Sequence, residues 1–268
     1  MRERPADLPD YSNPPLDEVV VGVQFDPPPM YTSVLAQDVW KLFSDEFPKV
    51  QELPRLSPQF EVFGRQGGRT GPQFEFGHGP IRGRLWFVSQ NDSHLIQFQD
   101  DRLLMNWRRR PTGGEYPHFE GIAAQFERHL STLKEYFDSQ LLWRLSINQA
   151  EVTYINLMPV AQYNEIGGWL RSIHVDELDI EGLNLNFPEL IRGTDGKPVA
   201  RLHHEVSTLV SNDGKRRLLR YGLTFRGKPE TNTISSAIEL ILNGRRRIVH
   251  RFNDTTTDSA HQKWEKIK

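Results

Sequence analysis

The sequence predicts an α+β protein of two similar strand–helix–antiparallel sheet–helix halves, with curved antiparallel sheet packed on long helices. Three observations predict it. In Glu18–Phe25, Val19, Val21, Val23 and Phe25 alternate with Glu18, Val20, Gly22 and Gln24, a strand with one apolar face. In Pro117–Phe137, Phe119, Ile122, Phe126, Leu130, Leu133 and Phe137 recur at helical spacing. In Lys215–Gly227, Leu219, Tyr221, Leu223 and Phe225 alternate with polar residues, after the hairpin signal Asn212-Asp213-Gly214. The order of elements runs twice, giving an arm over 1–15, a first half over 16–143 and a second half over 144–268. The repetition is one of order, not of residues.

In the first half, Asp26-Pro27-Pro28-Pro29 stops the opening strand. Tyr31–Phe47 follows with a helical stripe through Val34, Leu35, Val39, Leu42, Phe43 and Phe47, ended by Pro48. Strands are expected at Phe60–Phe63, Gln73–Gln90 and His94–Arg108, with Asp100-Asp101 as a hairpin tip or bulge. Pro117 suits the first turn of the next helix. The second half restarts with a strand at Glu151–Val160 and a weak helix at Glu165–Ile173. Strands at Val199–Ser211 and Lys215–Gly227 come next, then a helix around Ser236–Phe252. A last helical turn near Ser259–Ile267 is capped from Asp254–Thr257. The segment 182–198 reads as a long functional loop or surface excursion.

The chain has 268 residues, 33 Lys and Arg against 35 Asp and Glu, and no cysteine. Disulfide and thiolate chemistry are excluded. The net charge of −2 argues against a polyanion binder by bulk charge. The charge is uneven, since Arg201–Arg251 holds eleven Lys or Arg against four Asp or Glu, a local +7. The opening MRERPADLPDYSNPP lacks the apolar core of a secretory signal, and no segment approaches the ~18 apolar residues that span a bilayer. The expectation is a cytoplasmic protein with no membrane contact.

PPLDEVVVGVQF (Pro14–Phe25), EFP (Glu46–Pro48) and YINL (Tyr154–Leu157) carry a resemblance. The chain resembles a sporadically distributed prokaryotic family without an assigned activity. The resemblance implies a bacterial or archaeal cytoplasmic protein, of the kind met in mobile or defence-related gene neighbourhoods. It brings no catalytic residues.

The chemistry-bearing residues do not assemble a familiar site. His203 and Glu205 share one face of a strand and are the weak metal candidates, but a zinc site needs further ligands. No helix carries paired histidines and no serine sits in a G-x-S-x-G elbow. Gly64–Gly71 is glycine-rich but lacks the ending of a phosphate loop. No cofactor is implied. The arginines are more suggestive. Arg216, Arg220 and Arg226 point opposite to the apolar residues of their strand. Arg82 and Arg84, with Arg102 and Arg108, extend that polar face, where arginine binds phosphate or carboxylate bidentately. Trp86 shares the face of Arg82 and Arg84. The competing reading pairs these arginines with Glu18, Glu151 and Glu205 across strands. Arg245-Arg246-Arg247 reads as a solvated helix segment. The residues point to a non-enzymatic binding or scaffold protein engaging a protein partner or a second copy of itself. The partner would meet the sheet face or an edge beside 182–198. The alternative is nucleic acid or nucleotide phosphate on the arginine face.

Overall fold

The computed structural model describes residues 3–29, 31–64, 83–113, 115–211 and 214–268. One antiparallel sheet of nine strands organises them. The strands are β1 (Leu16–Phe25), β2 (Lys49–Leu53), β3 (Arg84–Val88), β4 (His94–Gln99), β5 (Arg102–Arg108), β6 (Ile147–Val160), β7 (Asn184–Arg192), β8 (Pro198–Val210) and β9 (Arg217–Gly227). Their spatial order is β2-β3-β4-β5-β1-β6-β9-β8-β7. The helices are α1 (Ser33–Lys41), α2 (His118–Gln140), α3 (Ile234–Thr255) and α4 (Asp258–Lys263).

The alternation of β1 puts Val19, Val21, Val23 and Phe25 on the face that meets the helices, all buried. Register carries the same face outward: Val19 lies opposite Trp107 and Tyr154, Val21 opposite Met105 and Val152. Helix α2 lies against β1 and β5, and α3 against β6, β9 and α2. Phe137 meets Phe25 edge-on at 5.8 Å. Gly244 lets α3 sit tight on the sheet, since a Cβ there would fall 2.4 Å from Phe225 and 2.8 Å from Val152. Helix α1 and the turn after it close the core over β3 and β4, with Phe43 stacked on Phe87. No described helix is long and apolar enough to cross a membrane.

Several elements differ from the sequence expectation. Residues 54–64 contain no strand, although Phe60–Phe63 alternates. The first part of Gln73–Gln90 lies outside the described residues, and the strand there is Arg84–Val88. The helix expected over Tyr31–Phe47 closes at Lys41 and continues as turns. Lys49–Leu53 is an edge strand, too short and polar to be seen by periodicity. The segment 182–198 is no loop: Asn184–Arg192 forms the far edge strand β7, whose mostly exposed faces erase any apolar alternation. Glu165–Ile173 is represented by a 3₁₀ turn, Tyr163–Gly168. Pro117 is the residue before α2, and His118 starts it with φ of 58°. Thr257 caps α4 by accepting from the Ala260 amide.

Candidate functional site: the polar face of the sheet

The sheet face turned away from α2 and α3 carries the even-numbered residues of β1, β5 and β9 and the odd-numbered residues of β6 and β8. It is polar along most of its width, and the chain itself crosses it. Residues 55–63, after β2, run over the face from the β4–β5 turn to β8.

Side chains of the sheet hold the backbone of this strap. Gln99 accepts from the Leu56 amide at 2.9 Å and donates to the Leu56 carbonyl at 3.0 Å. Gln24 treats Gln59 the same way, at 2.9 and 2.5 Å. Each carboxamide satisfies both backbone groups of one residue, as a neighbouring strand would. Arg102 donates to the Ser57 carbonyl at 3.0 Å and Arg201 to the Val62 carbonyl at 2.9 Å. Arg55 pairs with Asp100 and Asp101 at the β4–β5 turn.

The side chain of Glu61 enters a basic socket on β8 and β9. Its carboxylate meets Arg201 at 2.5 Å, His203 at 2.7 Å and Arg226 at 3.6 Å, and only 5% of the side chain is exposed. Burial raises its pKa, but the hydrogen bonds from His203 and Arg201 outweigh that, and the carboxyl stays below its ordinary range. Its neighbours Phe60 and Val62 point outward and are more than half exposed. Arg201 also lies over the Phe63 ring at 4.7 Å. Leu190, opposite Arg201 on β7, and Val199, two residues before it, are exposed beside this cluster.

The structure separates the nominated arginines. Arg82 lies outside the described residues. Arg84 donates to Gln97 at 2.8 Å, and Arg84 and Arg108 stand 5.5 and 5.6 Å from the Trp86 ring. Burial lowers the pKa of both guanidinium groups. Arg102 is buried and bound to Gln24, Ser57 and Asp101. Arg220 pairs with Glu205 at 3.3 Å, and Arg226 with Glu151 at 2.6 Å. Arg216 stands in the turn before β9, where its backbone closes with Ser211, and so leaves the strand face. Across the strands, Glu151 and Glu205 hold two of the arginines, and the strap holds a third. His203 and Glu205 have different partners, Glu61 and Arg220. Among the described residues no three His, Asp or Glu side chains gather to hold a metal. Arg245 departs from the solvated reading. It is buried, and it meets Glu120 of α2 at 3.3 Å because its position faces the neighbouring helix.

Sequence reasoning missed Glu61, Gln24 and Gln99. The available signal was a lone acid between Phe60 and Val62 in a proline-bounded stretch, and glutamines inside otherwise apolar strands. No protein-family model, curated protein or solved structure matches the chain.

Proposed function

We propose that the protein is a non-enzymatic binding protein that engages a protein partner on the apolar patch around Arg201. One observation carries the reading. Glu61 is pinned in a basic socket while Phe60 and Val62, on either side, are thrust into solvent from a segment clasped to the sheet. A clustered and rigidly presented apolar patch, rimmed by charges already paired within the chain, suits a protein interface. Leu190 and Val199 widen it toward the open edge strand β7. Aromatic and aliphatic anchors of this kind lose little entropy on binding when already held.

The test is affinity purification from the source organism of the tagged chain and of a Phe60→Ser/Val62→Ser variant. A stoichiometric partner retained by the first and lost by the second is expected. Sedimentation of the pure chain at high concentration separates self-association. A monomer that retains nothing, or a partner held equally by the variant, sinks the reading.

The resemblance in Pro14–Phe25 supports a prokaryotic, cytoplasmic setting in a mobile-element or defence-associated locus. The sheet order supports residues 16–143 and 144–268 as two units of one plan behind the arm 1–15. In each, the first strand is central and borders the last strand of its own unit.

A second reading has its own observation. Arg84 and Arg108 flank Trp86, and the Nε atoms of both are buried without a partner among the described residues. A stacking ring with two guanidinium groups suits single-stranded nucleic acid. A single-stranded oligonucleotide would then bind with an affinity falling steeply in salt, and Arg84→Gln/Arg108→Gln would abolish it. Affinity unchanged in that variant removes this reading.

A further inference from the structure

A cavity of about 470 Å³ lies on the opposite side of the sheet from the strap. Its floor is Trp107 of β5 with Tyr154 and Asn156 of β6. Arg245, Ile248 and Phe252 of α3 form one wall, and Tyr116 and His118, at the entry to α2, form another. The arm closes it: Arg4 and residues 9–14 pass over the top. That cover is built in. The Asp10 amide donates to the Lys268 carbonyl at 3.1 Å, and the Ile267 amide returns to Asp10 at 2.9 Å. The Tyr11 ring packs edge-on against Phe252 and Trp264 at about 6 Å.

The cavity wall carries unmet donors. The Nε of Arg4, the indole Nε1 of Trp107 and the Nε of Arg245 are buried without a hydrogen-bond partner among the described residues, and all three side chains line this one space. Trp107 and Arg245 are 2% and 3% exposed. Of the acids nearby, Asp10 is engaged by Arg4 at 3.0 Å and Glu120 by Arg245 at 3.3 Å, while Glu115 lines the cavity as an exposed residue. The Tyr154 oxygen already receives hydrogen bonds from Tyr116 and Arg245. A buried donor left unmet is destabilising, and three on side chains that line one cavity call for an acceptor from outside the chain. Two of the three are guanidinium nitrogens, which favours a negative charge. The remaining wall is apolar and aromatic, with Trp107 and Tyr116 at 4.8 Å between ring centroids.

We propose that this cavity binds a small organic anion, with its charged group at Trp107, Arg245 and Arg4 and an aromatic or apolar body against Tyr116, Ile248 and Phe252. The volume suits one such molecule. The site stands apart from the apolar patch of the strap, so either assignment survives failure of the other.

The probe pair 8-anilinonaphthalene-1-sulfonate and N-phenyl-1-naphthylamine differs only in the sulfonate. Fluorescence titration of the folded chain should give saturable 1:1 binding of the sulfonate and at least tenfold weaker binding of the neutral analogue. Trp107→Phe removes one N–H and keeps the ring, and should weaken the sulfonate about tenfold, the weight of one hydrogen bond to a charged group. Val249→Trp fills the space from α3 and should abolish binding while thermal unfolding stays cooperative. If Val249→Trp does not fold, Arg4→Gln at the rim replaces it and should weaken binding severalfold. Absence of saturable binding, equal affinity for the neutral analogue, or affinity untouched by the variants overturns the proposal.

Discussion

Replacing Glu61 by Gln should release the strap without unfolding the sheet. The carboxylate meets the Arg201 guanidinium at 2.5 Å, the His203 ring at 2.7 Å and the Arg226 guanidinium at 3.6 Å. Removing one partner of a fully buried ion pair costs about 3–5 kcal/mol. Here Arg201 and His203 keep 24% of their side-chain exposure, and Gln retains neutral hydrogen bonds, so the loss falls to about 2 kcal/mol. The clasps at Gln24, Gln99 and Arg102 remain, which confines the effect to local opening. A loss of about 2 kcal/mol raises the open population about thirtyfold. Limited proteolysis under conditions of fast reclosing reads that ratio directly, as the cleavage rate within 54–64 against wild type. Acid should do the same to the wild type. The folded carboxyl sits below the ordinary glutamate value of 4.5, so its contribution is present above pH 4.5 and is lost as pH falls through the folded value. The Gln variant should lack that acid-dependent step. Cleavage in Glu61→Gln at the wild-type rate would refute the socket as what holds the strap.

Gly244→Ala should destabilise the chain by about 1 kcal/mol net. Overpacking against Phe225 and Val152 costs roughly 1–3 kcal/mol, and the helix gains about 1 from losing a glycine. The melting temperature should drop by about 2–4 °C, and a rise would mean that α3 is not seated tightly. Desolvation, the first cause in each case, holds His94, His129, His204 and His261 below their ordinary 6.5. The unfolded chain binds these protons first, so stability is full above pH 6.5 and falls as pH drops below it. Urea midpoints at pH 7.5 and 5.5 check the sign, and an equal or higher midpoint at pH 5.5 contradicts it. Thr257→Ala should cost about 1 kcal/mol of unfolding free energy, and Thr257→Ser much less, because only the hydroxyl caps the Ala260 amide. Denaturant titration of both variants measures the difference.

What was legible in the sequence is what one-sided burial writes into it. Strand β1 and helix α2 each bury one face, so the period 2 of Val19–Phe25 and the 3–4 spacing of Phe119–Phe137 survive as pattern. Strands β2 and β7 bury little, and β7 holds Pro188 at its centre, so neither carries a period. The strap failed in the opposite direction. Phe60–Phe63 alternates like a strand, yet the strap is held through the backbones of Leu56, Gln59 and Val62 by the carboxamides of Gln99 and Gln24 and the guanidinium of Arg201, contacts that no local pattern encodes. The cavity was illegible for a related reason. Its three unmet donors come from the arm, β5 and α3, and become a group only when the sheet brings Trp107 beneath Arg245.

The same geometry decides between the two classes of partner. A band of eleven cations between Arg201 and Arg251 suggests a surface potential that would draw in a polyanion. In the fold, Arg201, Arg220, Arg226, Arg245 and Arg246 each have an acid within 3.3 Å, and Arg251 is paired with Glu189. Arg217 donates to the Ala161 carbonyl. The acids come from distant segments: Glu61 from the strap, Asp7 from the arm, Glu120 from α2. Six of these eleven cations are thus ion-paired within the chain, which reduces the charge left to steer a phosphate backbone. Unpaired apolar surface stands where these links end, at Phe60 and Val62. For that reason the protein-partner reading rests on side chains that carry no charge, and the nucleic-acid reading narrows to Trp86 and the two guanidinium groups beside it.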